Sequence, residues 1–344
     1  IYEVCSPLAG AWIDRVGLNI GLCAAVGVWS LASVATGFVS SFGGLLVCRG
    51  VLAAAESAGV PGVAKAIGRF LPAKERALGH AASNVGLGIG AILAPLIATW
   101  FLLRTGWQGA FIFPGMLGLL WIPLWLGVER RATPVEDAET GVAAVPIRTV
   151  LGSPVMWRVI AANILAMAPY TLWSNWTTIF FVETHGLNVA EAAGYAAVPP
   201  FMANLGGLAG GWLSLRLTAR SRRPVTARRD ACLAAAVLAL TVLLLPLSPS
   251  AAWSAAGVGL SFFAAAAFSV NLYTIPLDLY GAGRAAFAVS LLTSAYGVTQ
   301  GIFSPVFGWM VEHWGFGPIC AMVALLPALS WALLRIRPLE PAAV

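Results

Sequence analysis

Arg49 and Glu56 stand seven positions apart in an otherwise apolar stretch, "LLVCRGVLAAAESAGVPG" (45–62). Seven steps of about 100° return to within about 20° of the start, so on an α-helix the two share one face, about 10 Å apart along the axis. Exposing either to lipid costs about 3 kcal/mol or more, which directs that face toward protein or water. Arginine keeps its charge and offers a planar fork that fits a carboxylate, whereas a desolvated glutamate can take up and release protons. The pair therefore suits an organic anion held by Arg49 and a proton carried by Glu56. The alternative is a structural ion pair, between the two or between either and a residue of a helix ahead of residue 1, that locks helices together.

The elements that carry these residues follow from composition. The 344 residues are 59% hydrophobic and 10% charged, with a mean hydropathy of +0.85, far from soluble-domain usage. Repeated apolar runs of about 20 residues match helices crossing a hydrocarbon core, so the expected class is an all-α membrane protein. Ten spans are expected, at 18–40, 43–66, 79–101, 107–128, 157–182, 190–215, 230–247, 252–275, 286–311 and 317–334. Residues 1–12 are apolar but too short to cross and read as the tail of a cut helix. The five cysteines are scattered singly through apolar segments, which argues against a disulfide framework or a metal site. No HExxH, GxSxG or Walker loop occurs, and "GLGIG" (86–90) inside a span reads as helix packing. No catalytic residue, metal or cofactor is expected.

Charge then sets orientation. With the C-terminus in the cytoplasm, every Lys and Arg except Arg49 and Arg104 falls on the inner side. The net charge of +6 is thereby topological, and "TARSRRPVTARR" (218–229) is a cytoplasmic anchor rather than a nucleic-acid contact. The bilayer is the expected partner surface, the inner (plasma) membrane the expected location, and a monomer the expected state.

Two internal echoes point to a repeat. "GAWIDR" (10–15) returns as "GWLSLR" (211–216), with Leu215 where Asp14 stands; "ERALG" (75–79) returns as "GRAAF" (283–287). Each of the latter precedes a span with a late proline, Pro95 or Pro305. Counting back from the repeat leaves one helix and part of another missing before residue 1. Two six-helix halves follow, an incomplete one at 1–128 and a full one at 157–344, joined by a linker at 129–156.

The stretch "GAWIDRVGLN" resembles the loop signature of the major facilitator superfamily through Gly10, Asp14, Arg15 and Gly17, with Asn19 in place of the usual later basic residue. "RGVLAAAESAGVPGVAKAIGRFLPAKERALG" (49–79) resembles the fourth helix and following loop of the anion:cation symporters, a family that includes hexuronate, glucarate and galactonate transporters. Ala53 and Ala55 stand where that family has glycines, and Tyr280 and Gly281 replace its Phe-Pro after "SVNLYTIPLDL" (269–279). The resemblance implies the major facilitator fold and a secondary transporter that imports a sugar acid, such as a hexuronate or aldonate, with protons by alternating access. It also implies an acid-base pair on a helix ahead of residue 1. A facilitator, an antiporter of another small carboxylate, and a membrane sensor or scaffold without flux remain alternatives. Pro95 follows Gly90 by five residues, so the adjoining Gly-Pro step of antiporters is missing.

Other polar residues within spans divide between substrate contact and helix packing. Tyr170, Asn175 and Trp176 in "YTLWSNWTT" have aromatic faces and an amide suited to a sugar acid. Asn271, Tyr273 and Thr274 follow the family's polar stretch, with bonding to a neighbouring helix as the alternative. Tyr2 resembles a substrate-side tyrosine, Asn84 and Gln300 suit interhelical hydrogen bonds, and Glu3 has no counterpart in the family. His80, His185 and His313 lie near span ends or in a loop and read as solvated.

Overall fold

The computed structural model describes residues 1–135, 145–220 and 223–339. Part of the expected linker (136–144) and of the basic loop (221–222) lies outside the described residues. Among them every regular element is helical, as a chain in hydrocarbon requires when all backbone donors and acceptors must be satisfied within a segment.

The first half opens with α1 (Tyr2–Val16), which stops at Gly17 with φ 91°, a backbone conformation glycine adopts without a Cβ penalty. α2 (Leu18–Thr36) follows directly. α3 (Phe42–Glu56) is capped by Ser41, whose hydroxyl accepts the Gly44 N–H at 3.1 Å. It breaks at Ser57, whose Oγ donates to the Ala54 carbonyl at 2.7 Å, and the chain continues as α4 (Gly59–Phe70). A 3₁₀ turn (Ala73–Glu75) leads into α5 (Arg76–Arg104), then α6 (Gly109–Glu129). Short α7 (Ile147–Leu151) precedes α8 (Pro154–His185), which ends on left-handed Gly186.

α9 (Val189–Ala196) starts on a capping box between Asn188 and Glu191. α10 (Val198–Ala219) and α11 (Pro224–Ala239) follow, the latter prolonged by a 3₁₀ stretch (Leu240–Leu247). α12 (Ala251–Leu272), α13 (Ile275–Trp314) and α14 (Phe316–Arg335) complete the chain, with α13 interrupted at Gly281, φ 66°.

Nine stretches of the described residues are long and apolar enough to cross a membrane, one fewer than expected. The difference is the span expected at 190–215, which divides into α9 and α10. Pro199, Pro200, Asn204 and four glycines dilute the hydropathy of α10. Those glycines also give its role. A Cβ at Gly206 or Gly210 would meet the backbone of Phe263 or Ala267 on α12 at 2.1 or 2.6 Å, so α10 and α12 pack backbone against backbone.

The described chain forms two compact units. Unit 1 comprises residues 1–72, 86–147 and 280–294; unit 2 comprises 73–85, 148–279 and 295–344. The expected boundary at 129–156 thus takes no account of two segments, 73–85 and 280–294, each of which clusters outside its own sequence half. Unit 1 has small cores, one of Ile13, Ala25, Ala58 and Ala286, another around Leu18, Leu22 and Val26. Unit 2 has a larger aromatic core in which Phe180 meets Trp173, Phe181 and Phe316 edge to face.

Candidate functional site

In unit 1, α3 carries Arg49 and Glu56 on one face, and both are exposed. The Arg49 guanidinium lies over the Phe111 ring of α6, 5.1 Å from its centroid, a cation–π contact that orients the side chain while leaving its fork unpaired. Glu56 is the last residue of α3, beside the break that starts α4. Among the described residues neither group forms an ion pair, with the other or elsewhere. The two groups are thus not paired with one another among the described residues. Tyr2 and Glu3 on α1 are half-buried. The Glu3 carbonyl accepts the Ser294 hydroxyl at 2.5 Å, and its Oε2 is buried without a hydrogen-bond partner.

Unit 1 also holds the loop signature. Asp14 Oδ1 accepts from Lys65 Nζ at 2.7 Å and Oδ2 from the Phe287 N–H at 2.9 Å. Burial pushes the Asp14 carboxyl above the ordinary range, partly offset by the Lys65 ammonium and the Phe287 N–H. Gly10 explains the closeness: a Cβ there would fall 2.7 Å from the Ala286 carbonyl and from Ser290 Oγ. Gly17 supplies the turn, and Arg15 points to solvent. Asn19 accepts the Trp125 indole N–H at 3.2 Å, a bond that a basic residue could not make.

In unit 2 the structure brings Tyr170 and Asn175 together with Gln300 and Tyr296. The Asn175 amide donates to Gln300 Oε1 at 2.9 Å, Gln300 Nε2 donates to the Tyr296 hydroxyl, and the Tyr170 ring meets those of Phe262 and Tyr296 at 5.0 and 6.2 Å. A cavity of about 220 Å³ opens beside them, lined by Tyr170, Ser174, Asn175 and Thr178 among others. Trp173 is held by an indole N–H to Ser261 Oγ bond of 3.0 Å. Expected neighbours go elsewhere. Trp176 packs edge-on against Gly308, where a Cβ would meet its ring at 2.8 Å.

Asn271 and Thr274 are fully buried, and their side-chain donors are engaged by neighbouring backbone. The Asn271 amide donates to the Gly210 and Ala267 carbonyls at 3.1 and 2.9 Å, and Thr274 Oγ1 donates to Val270 O at 2.6 Å. The small glycine face of α10 puts a backbone acceptor within the amide's reach. Tyr273, next to them, is half-buried. His80 is buried rather than solvated, because the 73–85 segment packs inside unit 2. His185 reaches Ser254 Oγ at 2.8 Å and His313 the Trp309 carbonyl at 2.8 Å.

Sequence reasoning missed one network in unit 2. Arg228, read as part of a loop, is 0% exposed; it contacts Asp278 Oδ2 at 3.3 Å and donates to Ser214 Oγ and the Ala73 carbonyl. Arg76 pairs with Asp278 Oδ1 at 3.0 Å. The signal was the echo that begins at Glu75 and Arg76, which marks this segment as the counterpart of 283–287.

With this geometry in place, comparisons place the chain among known proteins. The profile described as Major Facilitator Superfamily matches residues 2–292. A hexuronate transporter of Escherichia coli strain K12 is 28% identical over 366 residues, covering 98% of this chain and 83% of its own. A galacturonate transporter of Dickeya chrysanthemi is 29% identical over 231 residues, covering 62% of this chain and 67% of its own. Among solved structures, the transporter FucP in the outward conformation superposes with a TM-score of 0.77 at 14% identity, over 98% of this chain and 88% of that one. The human organic anion transporter MFSD10 gives 0.76 at 16% identity, over 97% and 80%.

Proposed function

The chain belongs to the Major Facilitator Superfamily, and from that premise we propose that it imports an organic anion, a sugar acid such as a hexuronate or aldonate, by proton symport with alternating access. It is a multi-pass membrane transporter with the major facilitator fold, not an enzyme. The observation that carries the reading is α3, which holds an arginine and a carboxylic acid on one exposed face with neither engaged in an ion pair among the described residues. Arg49 supplies the fork for a substrate carboxylate, steadied by Phe111, and Glu56 exchanges the proton.

Tyr170 and Asn175, backed by Gln300 and Tyr296, supply the neutral hydrogen bonds and ring faces that a polyhydroxylated anion needs. Tyr2 is retained as a substrate-side phenol. The hexuronate and galacturonate transporters among the relatives support the substrate class. The asymmetry of basic residues supports an inner-membrane location with a cytoplasmic C-terminus.

Counterflow in proteoliposomes of the full-length protein tests this, comparing glucuronate, galactonate and an aromatic acid with and without a pH gradient. Arg49→Lys is expected to lower glucuronate uptake roughly 10- to 100-fold, because a point charge replaces a bidentate fork. Glu56→Gln is expected to retain exchange while losing accumulation driven by the pH gradient. Wild-type flux indifferent to that gradient defeats symport in favour of a facilitator, and binding without flux favours a sensor.

A further inference from the structure

Within unit 2, the start of α11, the start of α13 and the segment after α14 enclose a cleft of about 640 Å³. Arg223, Arg229 and Arg335 line it, over apolar Leu279 and Leu339. Neither Arg223 nor Arg229 has an acidic partner among the described residues. Arg335 rests over the Trp331 ring, 5.3 Å from the centroid, which leaves its N–H edge available.

The one carboxylate in the lining, Asp278, is already balanced by two guanidiniums, Arg76 at 3.0 Å and Arg228 at 3.3 Å. The cleft is therefore positive. Its first wall adds donors, since α11 has no side-chain cap and the backbone N–H groups of Val225 and Thr226 in its first turn have no intrahelical acceptor. The opposite wall is built rather than incidental: Arg158 donates to the Arg337 and Pro338 carbonyls at 3.2 and 3.3 Å, and Leu339 is buried behind them.

We propose that this cleft binds a phosphate-bearing anion. Arginine forks match the tetrahedral oxygens of phosphate two at a time, and the volume exceeds a bare phosphate, leaving room for the glycerol portion of an anionic phospholipid headgroup above an apolar floor. The same chemistry is offered by a phospholipid headgroup and by free phosphate. The site shares no residue with the transport reading and stands independently of it.

The test uses the full-length protein in phosphatidylcholine nanodiscs with graded phosphatidylglycerol, reading bound lipid by native mass spectrometry. The double variant Arg223→Ala/Arg229→Ala is expected to retain phosphatidylglycerol about 30-fold more weakly, the equivalent of about 1 kcal/mol of lipid-surface attraction per arginine. Arg216→Ala, an exposed arginine stacked on Trp212 and outside the cleft, is expected to behave as wild type. Arg223→Lys/Arg229→Lys, which keeps charge and guards against a folding artefact, is expected to recover only part of the retention, because a point charge replaces each bidentate fork. Inorganic phosphate that binds in pure phosphatidylcholine discs and displaces phosphatidylglycerol identifies free phosphate as the source; retention indifferent to added phosphate identifies the lipid. Equal retention by wild type and the alanine double variant overturns the site, as does a wild type that prefers neither phosphatidylglycerol nor phosphate.

Discussion

Gly10 in unit 1 and Gly211 in unit 2 open the echoed stretches "GAWIDR" and "GWLSLR", and each lets a helix end approach a foreign segment closely. A Cβ at Gly10 would meet the Ala286 carbonyl at 2.7 Å; one at Gly211 would meet Leu78 Cα at 2.9 Å and the Ala77 carbonyl at 3.0 Å. The steric half of the clasp is thus repeated. The electrostatic half is not. In unit 1 the acid lies on the glycine's own helix, Asp14, and is answered by Lys65 and a backbone N–H. In unit 2 that position is Leu215; the acid comes from α13 as Asp278 and is answered by two arginines. Backbone proximity needs a particular residue at a particular place, whereas a charge can be supplied from any element that reaches the same point.

The largest expected effect comes from Asp278→Ala. It leaves Arg228 and Arg76 buried without their carboxylate, at a cost of about 3–5 kcal/mol, and denaturant unfolding of the purified protein should show the drop. Combining it with Arg228→Met should recover part of the loss; an unaltered midpoint in the single variant would break the contrast. Next in size, Gly10→Ala and Gly211→Ala should each cost about 1–3 kcal/mol, because the obstructing atoms include backbone and cannot swing aside. Gly86→Ala, with open space around its would-be Cβ, serves as the neutral control.

The smallest effect is expected from Asp14→Asn, about 1 kcal/mol by the same measurement. The amide oxygen still accepts the Phe287 N–H, and burial already disfavours the charged carboxyl, so chiefly the Lys65 pairing is lost. A loss as large as that of Asp278→Ala would make the two clasps electrostatically alike and remove the distinction.

The helices and the transport residues were unequally legible. Hydropathy located most span ends to within about six residues; the span expected at 286–311 begins already at Ile275, and the one expected at 190–215 divides, because glycines needed for backbone packing lowered the very signal that marks a span. The shared face of Arg49 and Glu56 was readable because helical periodicity is local. Asn271 and Asn175 look alike in sequence, yet one is fastened to Gly210 and Ala267 while the other sits exposed beside a cavity. Only the helix packed alongside distinguishes them.

By itself the sequence determined the membrane class, the helical periodicity and the loop signature, all of which depend on residues near one another along the chain. The tertiary structure alone decided that Arg228 is a buried ion-pair partner rather than a loop charge, and that segments 73–85 and 280–294 cluster outside their sequence halves. The reason is physical. Transfer of a residue from water depends on its own chemistry and can be summed locally, whereas pairing a buried charge depends on which distant atom comes within about 3 Å, and only the folded chain sets that distance.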